Sequence, residues 1–596
     1  MKEILNTHII KTNTLLSILL GVCAFIFFNF YYPFHVQYHE LFQMFLFTPS
    51  YFFETVSEPG GMALYLGRFF VQFFYYSWAG SLIIAVLLVL LQREVAWLTK
   101  KLGCNNAFYP ITFLPSIAYW ILLCDENYML SGLILLIIVL AAVIVCTTIH
   151  SRTFRVISTI VLTPILYISC SGCFWFFAVF MVLFEINYWR VKIDFRWFVM
   201  SIGSVLLIIF SPLLSKYFYQ YPLENLWFGI GFYRFPKISP YGQLIVWSLV
   251  FVVSVLPRFL PKIISAKKYI IVMALQIALL IISGGYLIGN AANWNKEELM
   301  GYAHYVKMQE WDKVIVMAAK KTPTAPMSVS CLNLALAKTG VLGDNMFSYY
   351  QNGVQGLIPH FEPDFTSPLP TSEIYYQLGM INTAQRLVFE AMESIPDYQK
   401  SASCFKRLAE TNLINGQYKV AAKYLRVLQH TLFYRNWATE TLTYLNDEKR
   451  INTHPEWGRL RQLRYKADSL FSEDELDVML GILFQNNKSN RMAYEYLMAC
   501  TLLSKDMQKF INYYPLGKDI GYSHIPKSYQ EELLFIWSLK HHPLKEKAPW
   551  PIDPQITERL LEYAPIYLQE KNAGPILKER FGDTYWYYLH FGAKKS

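Results

Sequence analysis

The feature that most constrains this chain is the contrast between its two halves. Residues 1 to about 290 form a succession of long apolar runs separated by short basic loops, whereas the sequence from about 291 onward is polar with a helical period. A run of about 18 or more apolar residues crosses a bilayer as a helix, because a helix satisfies its backbone hydrogen bonds internally. The pattern predicts an all-α protein, with a polytopic transmembrane domain at 1–290 followed by a soluble helical domain at 291–596.

Composition agrees with this division. Hydrophobic residues make up 54% and charged residues 16% of the 596 positions, so the apolar excess has to lie against lipid rather than in one very large core.

We predict nine spans with the approximate bounds 15–34, 69–91, 107–123, 129–146, 156–170, 173–187, 197–215, 242–257 and 269–288.

The charges between the apolar runs predict the orientation. With a cytoplasmic N-terminus, the inside segments hold fourteen Lys and Arg residues and the outside loops hold four, which is the bias that the positive-inside rule describes. Nine spans then place the C-terminal domain outside, at the periplasmic face of a bacterial inner membrane. The same rule explains much of the net charge of +10, so membrane lipid is an expected partner and nucleic acid is not.

Two of the outside loops are long, at 35–68 and 216–241, and membrane proteins usually place their chemistry in such loops. The first has an amphipathic, aromatic middle suited to lying flat at the membrane surface. Its acids Glu40, Glu54 and Glu58 are therefore held close to the bilayer, where partial desolvation changes the chemistry of a carboxyl group.

An acid just after the first span, an interfacial aromatic helix, a Pro-centred turn and an immediate return into the second span make this loop similar to the start of GT-C-type membrane glycosyltransferases. These enzymes use polyprenyl-phosphate-linked sugars, and their first outside loop carries an acid that is a catalytic base or a metal ligand. The resemblance implies that Glu40, within Tyr38-His39-Glu40, is this acid. It also implies that Glu58-Pro59-Gly60-Gly61 is the turn, although a His-Pro-Pro-like turn is usual there. Whether a divalent metal is a cofactor stays open.

The loop at 216–241 holds Arg234 and Lys237, whose charges suit the phosphate of a lipid carrier, Arg in bidentate fashion. Its aromatic side chains suit stacking on a sugar, but Tyr and Trp recur at most span ends, which favours an interfacial belt. Together with the resemblance, the two loops predict one candidate site. Its catalytic residues are Glu40, Glu58 and Glu224, and its substrate-binding residues are His39, Arg68, Arg234 and Lys237.

The soluble half contains Asn415-Gly416-Gln417-Tyr418, followed by Ala421, Ala422 and Leu425, which resembles the turn and second helix of a tetratricopeptide-like unit. Weaker echoes occur before and after it at irregular spacing. The sequence therefore predicts a degenerate helical-repeat array that begins near Asn295, with an ordinary helical domain as the alternative. Such arrays bind partners through a concave face, which predicts a protein or glycan acceptor as the partner of the tail.

Other motifs indicate less. Cys170-Ser171-Gly172-Cys173 is a C-x-x-C without a nearby Lys or His to lower a thiol pKa, which favours a structural pair or a plain disulfide over redox chemistry. Glu185, Asn29 and Gln276 lie in or near spans without a visible partner, so a transport pathway is not supported. The sequence has no P-loop, no G-x-G-x-x-G before a helix and no H-E-x-x-H, and gives no evidence for a nucleotide enzyme or a zinc site.

The leading hypothesis is a glycosyltransferase-like membrane protein that transfers a sugar from a polyprenyl-phosphate carrier at the outer face, with the tail recruiting the acceptor. The alternative is a non-enzymatic envelope scaffold whose membrane part anchors a partner-binding tail, and a lipid or polysaccharide transporter is a third hypothesis. The chain is also similar to uncharacterised bacterial multi-pass proteins with a helical-repeat tail, and that resemblance implies no function.

Overall fold

The computed structural model describes residues 2–592 except 190–194, 236, 257–258, 261–264, 363–364, 397–399, 467–469, 471, 473–474 and 542–545. The regular elements of these described residues are helices, apart from an isolated β-bridge between Tyr128 and Tyr233, which confirms the all-α prediction. Contacts divide the chain into two compact units. The first comprises Met1–Glu297, Ile395–Ala402 and Gln429–Arg435, and the second comprises Glu298–Ser394, Ser403–Leu428 and Asn436–Ser596.

The N-terminal half folds into helices of very unequal length. In chain order they are α1 Lys2–Ile26, α2 Pro33–Leu41, α3 Pro49–Val56, α4 Gly61–Val71, α5 Ser77–Lys101, α6 Leu114–Leu122, α7 Ser131–Thr148, α8 Arg152–Cys170, α9 Phe174–Trp189, α10 Phe195–Ser215, α11 Leu223–Phe228, α12 Tyr241–Val255 and α13 Ala266–Ala291. A π-helical turn at Phe27–Tyr31 and 3₁₀ turns at Gln72–Tyr75, Asn106–Phe113 and Ser171–Cys173 connect some of them.

Within the described residues, six helical segments are long and apolar enough to cross a membrane. They are Lys11–Tyr31, Ser77–Lys101, Ser131–Thr148, Arg152–Glu185, Phe195–Ser215 and Lys267–Ala291. The fourth segment is broken at Ser171, where φ is +52°, and the helices on either side, α8 and α9, pack against each other. The predicted spans at 107–123 and 242–257 correspond to shorter helices, so the count of nine stays a prediction.

The start of the second predicted span differs from the structure. Residues 61–75 form α4 and a 3₁₀ turn, and the long helix begins only at Ser77. Apolar composition continues through both stretches, so hydropathy does not reveal the break at Tyr76, whose φ of −107° and ψ of +120° are extended. The first loop therefore contains three short helices, α2 to α4, rather than one interfacial segment.

The outermost long helices expose apolar side chains instead of burying them. On α13, Leu275 is 64% and Ile282 is 72% exposed, and on α10, Phe210 is 59% exposed. A contiguous apolar face of this kind is unfavourable in water and suits the hydrocarbon of a bilayer. The pattern supports the interpretation of these helices as membrane spans.

Glu185 is not isolated, contrary to the expectation from sequence. Its Oε1 accepts from Arg155 Nε at 2.6 Å, and both side chains are at most 2% exposed. Arg155 also donates to two carbonyl oxygens that follow the end of α7, so the pair closes the turn between α7 and α8. The other two polar residues have partners as well: Gln276 donates to the Ala107 carbonyl at 3.0 Å, and Asn29 accepts from Ser77 at 3.4 Å.

The C-terminal half continues as shorter helices. They are α14 Trp294–Lys307, α15 Trp311–Lys320, α16 Pro326–Lys338, α17 Leu342–Asn345, α18 Pro368–Leu378, α19 Ile381–Glu393, α20 Ala402–Ile414, α21 Tyr418–Leu428, α22 Arg435–Leu442, α23 Glu448–Thr453, α24 Trp457–Leu463, α25 Leu476–Asn486, α26 Arg491–Leu503, α27 Met507–Tyr513, α28 Lys527–Lys540, α29 Pro554–Gln569, α30 Ala573–Phe581 and α31 Tyr585–Phe591. Short 3₁₀ turns occur at Met346–Ser348, Gly353–Gly356 and Tyr514–Ile520.

One turn geometry recurs between helices of this half. At residues 309, 340, 379, 416 and 505 the backbone φ is positive, the residue's own N–H donates to the carbonyl three positions back, and the next N–H donates five positions back. This is the hydrogen-bond pattern of a Schellman helix end. The motif at Asn415-Gly416-Gln417 is one of these turns. The recurrence supports a repeat of helix pairs, while the tetratricopeptide-like assignment stays a prediction.

Candidate functional site

The predicted acid Glu40 lies near the end of α2, a helix with an unusual N-terminal cap. Pro33 occupies the first helical position, where the absent N–H costs nothing. The N–H groups of Phe34 and His35 donate to the two carboxylate oxygens of Glu297 at 2.8 and 2.9 Å. Burial raises the pKa of Glu297 to about 7, because desolvation outweighs these two hydrogen bonds. A residue about 260 positions later therefore fixes the start of α2.

Two buried histidines lie on α2, one turn apart. His35 Nε2 is 2.9 Å from the Leu123 carbonyl oxygen, which only accepts, so this nitrogen carries the proton. His39 Nε2 lies 3.3 Å from the same nitrogen and is therefore the acceptor, which places the His39 proton on Nδ1. Among the described residues, His39 Nδ1 has no hydrogen-bond partner. Burial lowers the pKa of His35 to about 3 and that of His39 well below its usual value, so both rings are neutral.

Glu40 itself is only 6% exposed. Its Oε1 lies 3.5 Å from the hydroxyl of Tyr434, which belongs to the segment Gln429–Arg435 of the first unit. In the same segment, Phe433 stacks on Tyr75 with the ring centroids 5.0 Å apart. The Phe47 N–H donates to the His430 carbonyl of this segment, and the Met44 N–H donates to the Lys400 carbonyl of the separate stretch Ile395–Ala402. Sequence reasoning missed Tyr434, because nothing in the local pattern links it to a loop almost 400 residues earlier.

Arg234 connects the two long outside loops. Its Nη1 donates to the Tyr38 hydroxyl at 2.9 Å, and the guanidinium lies 5.0 Å from the centre of the Phe42 ring. Its backbone N–H donates to the Asn127 carbonyl at 2.7 Å, next to the β-bridge at Tyr128 and Tyr233. The side chain is 5% exposed. The structure thus brings Arg234 to Tyr38 on α2, and Tyr38 precedes Glu40 by two positions in the chain.

Two of the remaining candidate residues, Glu58 and Glu224, lie near Tyr221, at a different point of the loops. The Glu58 carboxylate accepts from the Tyr221 hydroxyl at 3.1 Å, and Tyr221 and the exposed Glu224 line a small cavity of about 30 Å³. Lys237 is exposed. Arg68 donates to a tyrosine hydroxyl of its own loop at 3.3 Å. The described contacts therefore form two clusters, one at Glu40 and one at Glu58, and a single site made of all seven residues stays a prediction.

The turn after Glu58 has a clear packing function. Gly60 has a φ of +83°, and its N–H donates to the Ile168 carbonyl at 2.8 Å. A Cβ atom at Gly60 would lie 2.9 Å from the Ser171 Cβ. Gly60 therefore fits the loop tightly against the junction of α8 and α9. A Cβ atom at Gly61 would collide instead with the Thr55 carbonyl, so packing explains both glycines without a bound substrate.

Metal and thiol chemistry have little support at these clusters. Within the described part of the chain, no group of three or more His, Cys, Asp and Glu side chains is arranged to hold a metal ion. The residues around Glu40 therefore do not fit a divalent cofactor. Cys170 and Cys173 are buried free thiols, so the disulfide alternative for the C-x-x-C motif is not realised.

The fold and these clusters define an all-helical protein in which the described residues include six span-length apolar helical segments and a buried polar cluster on the first long interhelical loop. The chain belongs to a family of unknown function, DUF6057, whose model matches residues 7–592. The match covers residues in both units. No curated protein and no solved structure matches the chain.

Proposed function

We propose that the protein is a membrane glycosyltransferase-like enzyme that transfers a sugar from a polyprenyl-phosphate carrier at the outer face of a bacterial inner membrane. The observation that carries this proposal is that the two long loops meet at α2, where Glu40 is buried and Arg234 donates to the Tyr38 hydroxyl. An acid and a cation that are both shielded from water suit an attack by a hydroxyl group and the departure of a phosphate.

The proposed roles follow from the chemistry of each group. Glu40 takes the proton from the acceptor hydroxyl as its oxygen forms the new bond to the sugar carbon. Arg234 neutralises the polyprenyl phosphate that leaves, and the exposed Lys237 adds positive charge on the same loop. His39 offers a buried N–H donor to the substrate. No step uses a metal, since the residues present do not fit one.

The proposal includes the orientation and the tail. Nine spans with a cytoplasmic N-terminus place both long loops and the C-terminal half in the periplasm, where lipid-linked sugars are presented. The helix pairs of the tail recruit the acceptor, a protein or a glycan, as helical-repeat arrays recruit partners.

The test compares two carboxylates of one loop. Glu40→Gln keeps shape and removes charge, and we expect transfer to fall by about 10²- to 10⁴-fold, the usual loss for a general base. Glu54→Gln is the matched control, because Glu54 is exposed in the same loop, and its activity should stay near wild type. Consumption of lipid-linked sugar and surface glycan are measured in cells with equal protein levels. Equal behaviour of the two variants would contradict the assignment.

One observation favours the scaffold alternative. Glu40 is almost fully buried beside Tyr434, as expected of a side chain that only holds two segments together. If that is its function, Glu40→Gln lowers the melting temperature without changing any lipid-linked sugar pool, and the cellular phenotype depends on the tail alone.

A further inference from the structure

The second unit contains a cavity of about 490 Å³ between residues 352–362 and the helices α18, α26 and α27. Its volume falls in the range of about 300–1,000 Å³ that is usual for small-ligand sites. The lining mixes hydroxyl, amide and charged side chains with apolar ones, and it includes the ring of Phe361, which is 41% exposed. The cavity is therefore suited to a ligand that combines polar groups with an apolar face.

The lysine and arginine side chains of the lining are already engaged within the protein. Lys509 Nζ pairs with Asp477 at 2.7 Å, and Arg386 pairs with the acid one turn later in α19 at 3.4 Å. Lys505 Nζ lies 3.4 Å from the carbonyl of Gly592, which is not part of the lining. A phosphate or carboxylate ligand would have to displace one of these partners, so the cavity does not favour an anion.

Four other polar side chains of the lining act as hydrogen-bond acceptors. Glu362 and Asp506 form no ion pair with a lysine or arginine among the residues that the structure describes. Asp506 Oδ1 accepts the Lys509 N–H at 2.9 Å, which leaves its second oxygen for a ligand. The hydroxyls of Thr371 and Ser504 donate to earlier carbonyls of the chain, at 2.9 and 3.1 Å, so towards a ligand they accept. This set matches a ligand that is rich in donors.

We infer that this cavity binds a short neutral oligosaccharide. A sugar ring carries several hydroxyl groups, and each donates a hydrogen bond without adding a charge. Carboxylates such as Asp506 are strong acceptors for these donors, and the apolar face of a sugar ring packs on an aromatic ring such as Phe361. A peptide brings only one main-chain N–H per residue, so it would leave more of the lining acceptors unmatched.

The inference deepens the proposed function, because it names the class of glycan that the tail recruits, and its designation as the acceptor rests on the proposed transfer. Binding itself does not need catalysis. A Glu40→Gln protein should therefore bind the sugar like wild type. If wild type binds a neutral sugar and transfers none, the cavity assignment stands and only the acceptor designation fails.

The test is calorimetric titration of the full-length protein in a detergent without a sugar headgroup, since such a headgroup would compete for the cavity. The neutral probes are maltotriose, cellotriose and N-acetylated chitotriose. Trigalacturonic acid, triglucosamine and N-acetyl-trialanine amide are the anionic, cationic and peptide probes. We expect saturable binding of at least one neutral trisaccharide and at least tenfold weaker binding of these last three probes.

Two variants and a matched control locate the binding. Asp506→Asn removes the charge but keeps an oxygen that caps α27, and it should weaken neutral-sugar binding by about tenfold or more, since hydrogen bonds to charged groups are the stronger ones. Asp447→Asn is the control, because Asp447 caps α23 in the same way and lies outside the cavity lining. Phe361→Ala should also weaken binding, while Phe361→Trp should retain it.

Thermal unfolding separates ligand binding from folding. The melting temperatures of Asp506→Asn and Asp447→Asn should stay close to that of wild type, because Asn caps a helix about as well as Asp. The inference would be overturned if no neutral trisaccharide binds, or if both Asp506→Asn and Phe361→Ala bind it as tightly as wild type. Binding of triglucosamine or of the peptide with equal or higher affinity would also overturn it, and would identify a cation or a peptide as the ligand.

Discussion

At the scale of single residues, burial controls the charge states around α2. Glu297 caps the helix from a buried position, and its pKa is raised to about 7. His35, one turn before His39, is neutral because burial lowers its pKa to about 3. The two groups have opposite effects on stability. An acid with a raised pKa makes the folded state less stable as pH rises, and a base with a lowered pKa makes it less stable as pH falls.

The first prediction concerns Glu297→Gln. Between pH 5 and pH 7, Glu297 of the unfolded chain is ionised while the folded protein keeps the proton, so wild type loses stability as pH rises, by on the order of 2 kcal/mol. Glutamine at position 297 has no proton to lose in this pH range, so the stability of the variant does not fall for this reason. Thermal unfolding of both proteins in detergent at pH 5, 6, 7 and 8 measures the difference, in which the contribution of His35 cancels. If the difference in melting temperature between the two proteins is the same at all four pH values, Glu297 does not keep its proton in the folded protein as assigned.

At the scale of elements, close packing at turns fixes the arrangement of the helices. Gly60 fits against the junction of α8 and α9, and the same pair of backbone hydrogen bonds closes five helix ends of the tail. The tail also contains buried ion pairs. Arg407, largely buried, pairs with Glu373 and with Glu410 at 3.2 Å, and its guanidinium lies 3.7 Å from the centre of the Tyr376 ring.

The second prediction compares two glycines with the same backbone. Gly60 and Gly103 have φ values of +83° and +82°, but a Cβ at Gly103 would meet no atom within 4 Å. Gly103→Ala should therefore cost only the backbone strain, about 1–2 kcal/mol. Gly60→Ala should cost clearly more, because the new methyl group also collides with Ser171. The melting temperatures of both variants in detergent measure this, and an equal loss would show that the turn is not tightly packed.

The third prediction concerns the charged cluster of the tail. Arg407→Met leaves the buried Glu373 without its cation and Glu410 with only the more distant Lys406, at 3.9 Å, and the loss of a buried partner costs about 3–5 kcal/mol. Lys313→Met is the control, because its pair with Glu310 is exposed, and we expect no measurable change. Denaturant unfolding followed by helical circular dichroism compares the two. Similar stability of Arg407→Met and wild type would mean that the cluster does not hold the tail together.

At the scale of the whole molecule, the sequence predicts what depends on local pattern. Apolar runs identify the long helices, and helical periodicity identifies the helical tail. Pairings between distant segments are not visible in such patterns. The partner of Glu185 is Arg155 on another helix, and the hydroxyl beside Glu40 comes from Tyr434. Two short stretches of the C-terminal half, Ile395–Ala402 and Gln429–Arg435, belong to the first unit, and no composition change marks them.

The fourth prediction concerns orientation. Exposed apolar faces support spans, and the basic residues between them predict a cytoplasmic N-terminus. Of those basic residues, Arg190, Lys192, Arg258 and Lys262 lie outside the described residues. A reporter that is active only in the periplasm should be active when fused after Ser596 and silent when fused after Lys101. The reverse pattern in expressed fusions would exclude a periplasmic site.

The decisive measurement is sugar transfer by the purified protein. Wild type and Glu40→Gln are reconstituted into vesicles that contain polyprenyl-phosphate-linked sugars extracted from the source membranes, together with the glycan fraction of the same cells. Wild type should convert the lipid-linked sugar to free polyprenyl phosphate and extend the glycan, while Glu40→Gln at equal folding should leave the lipid pool intact. Equal lipid pools with both proteins, with or without acceptor, would contradict the enzymatic function and leave the scaffold in its place.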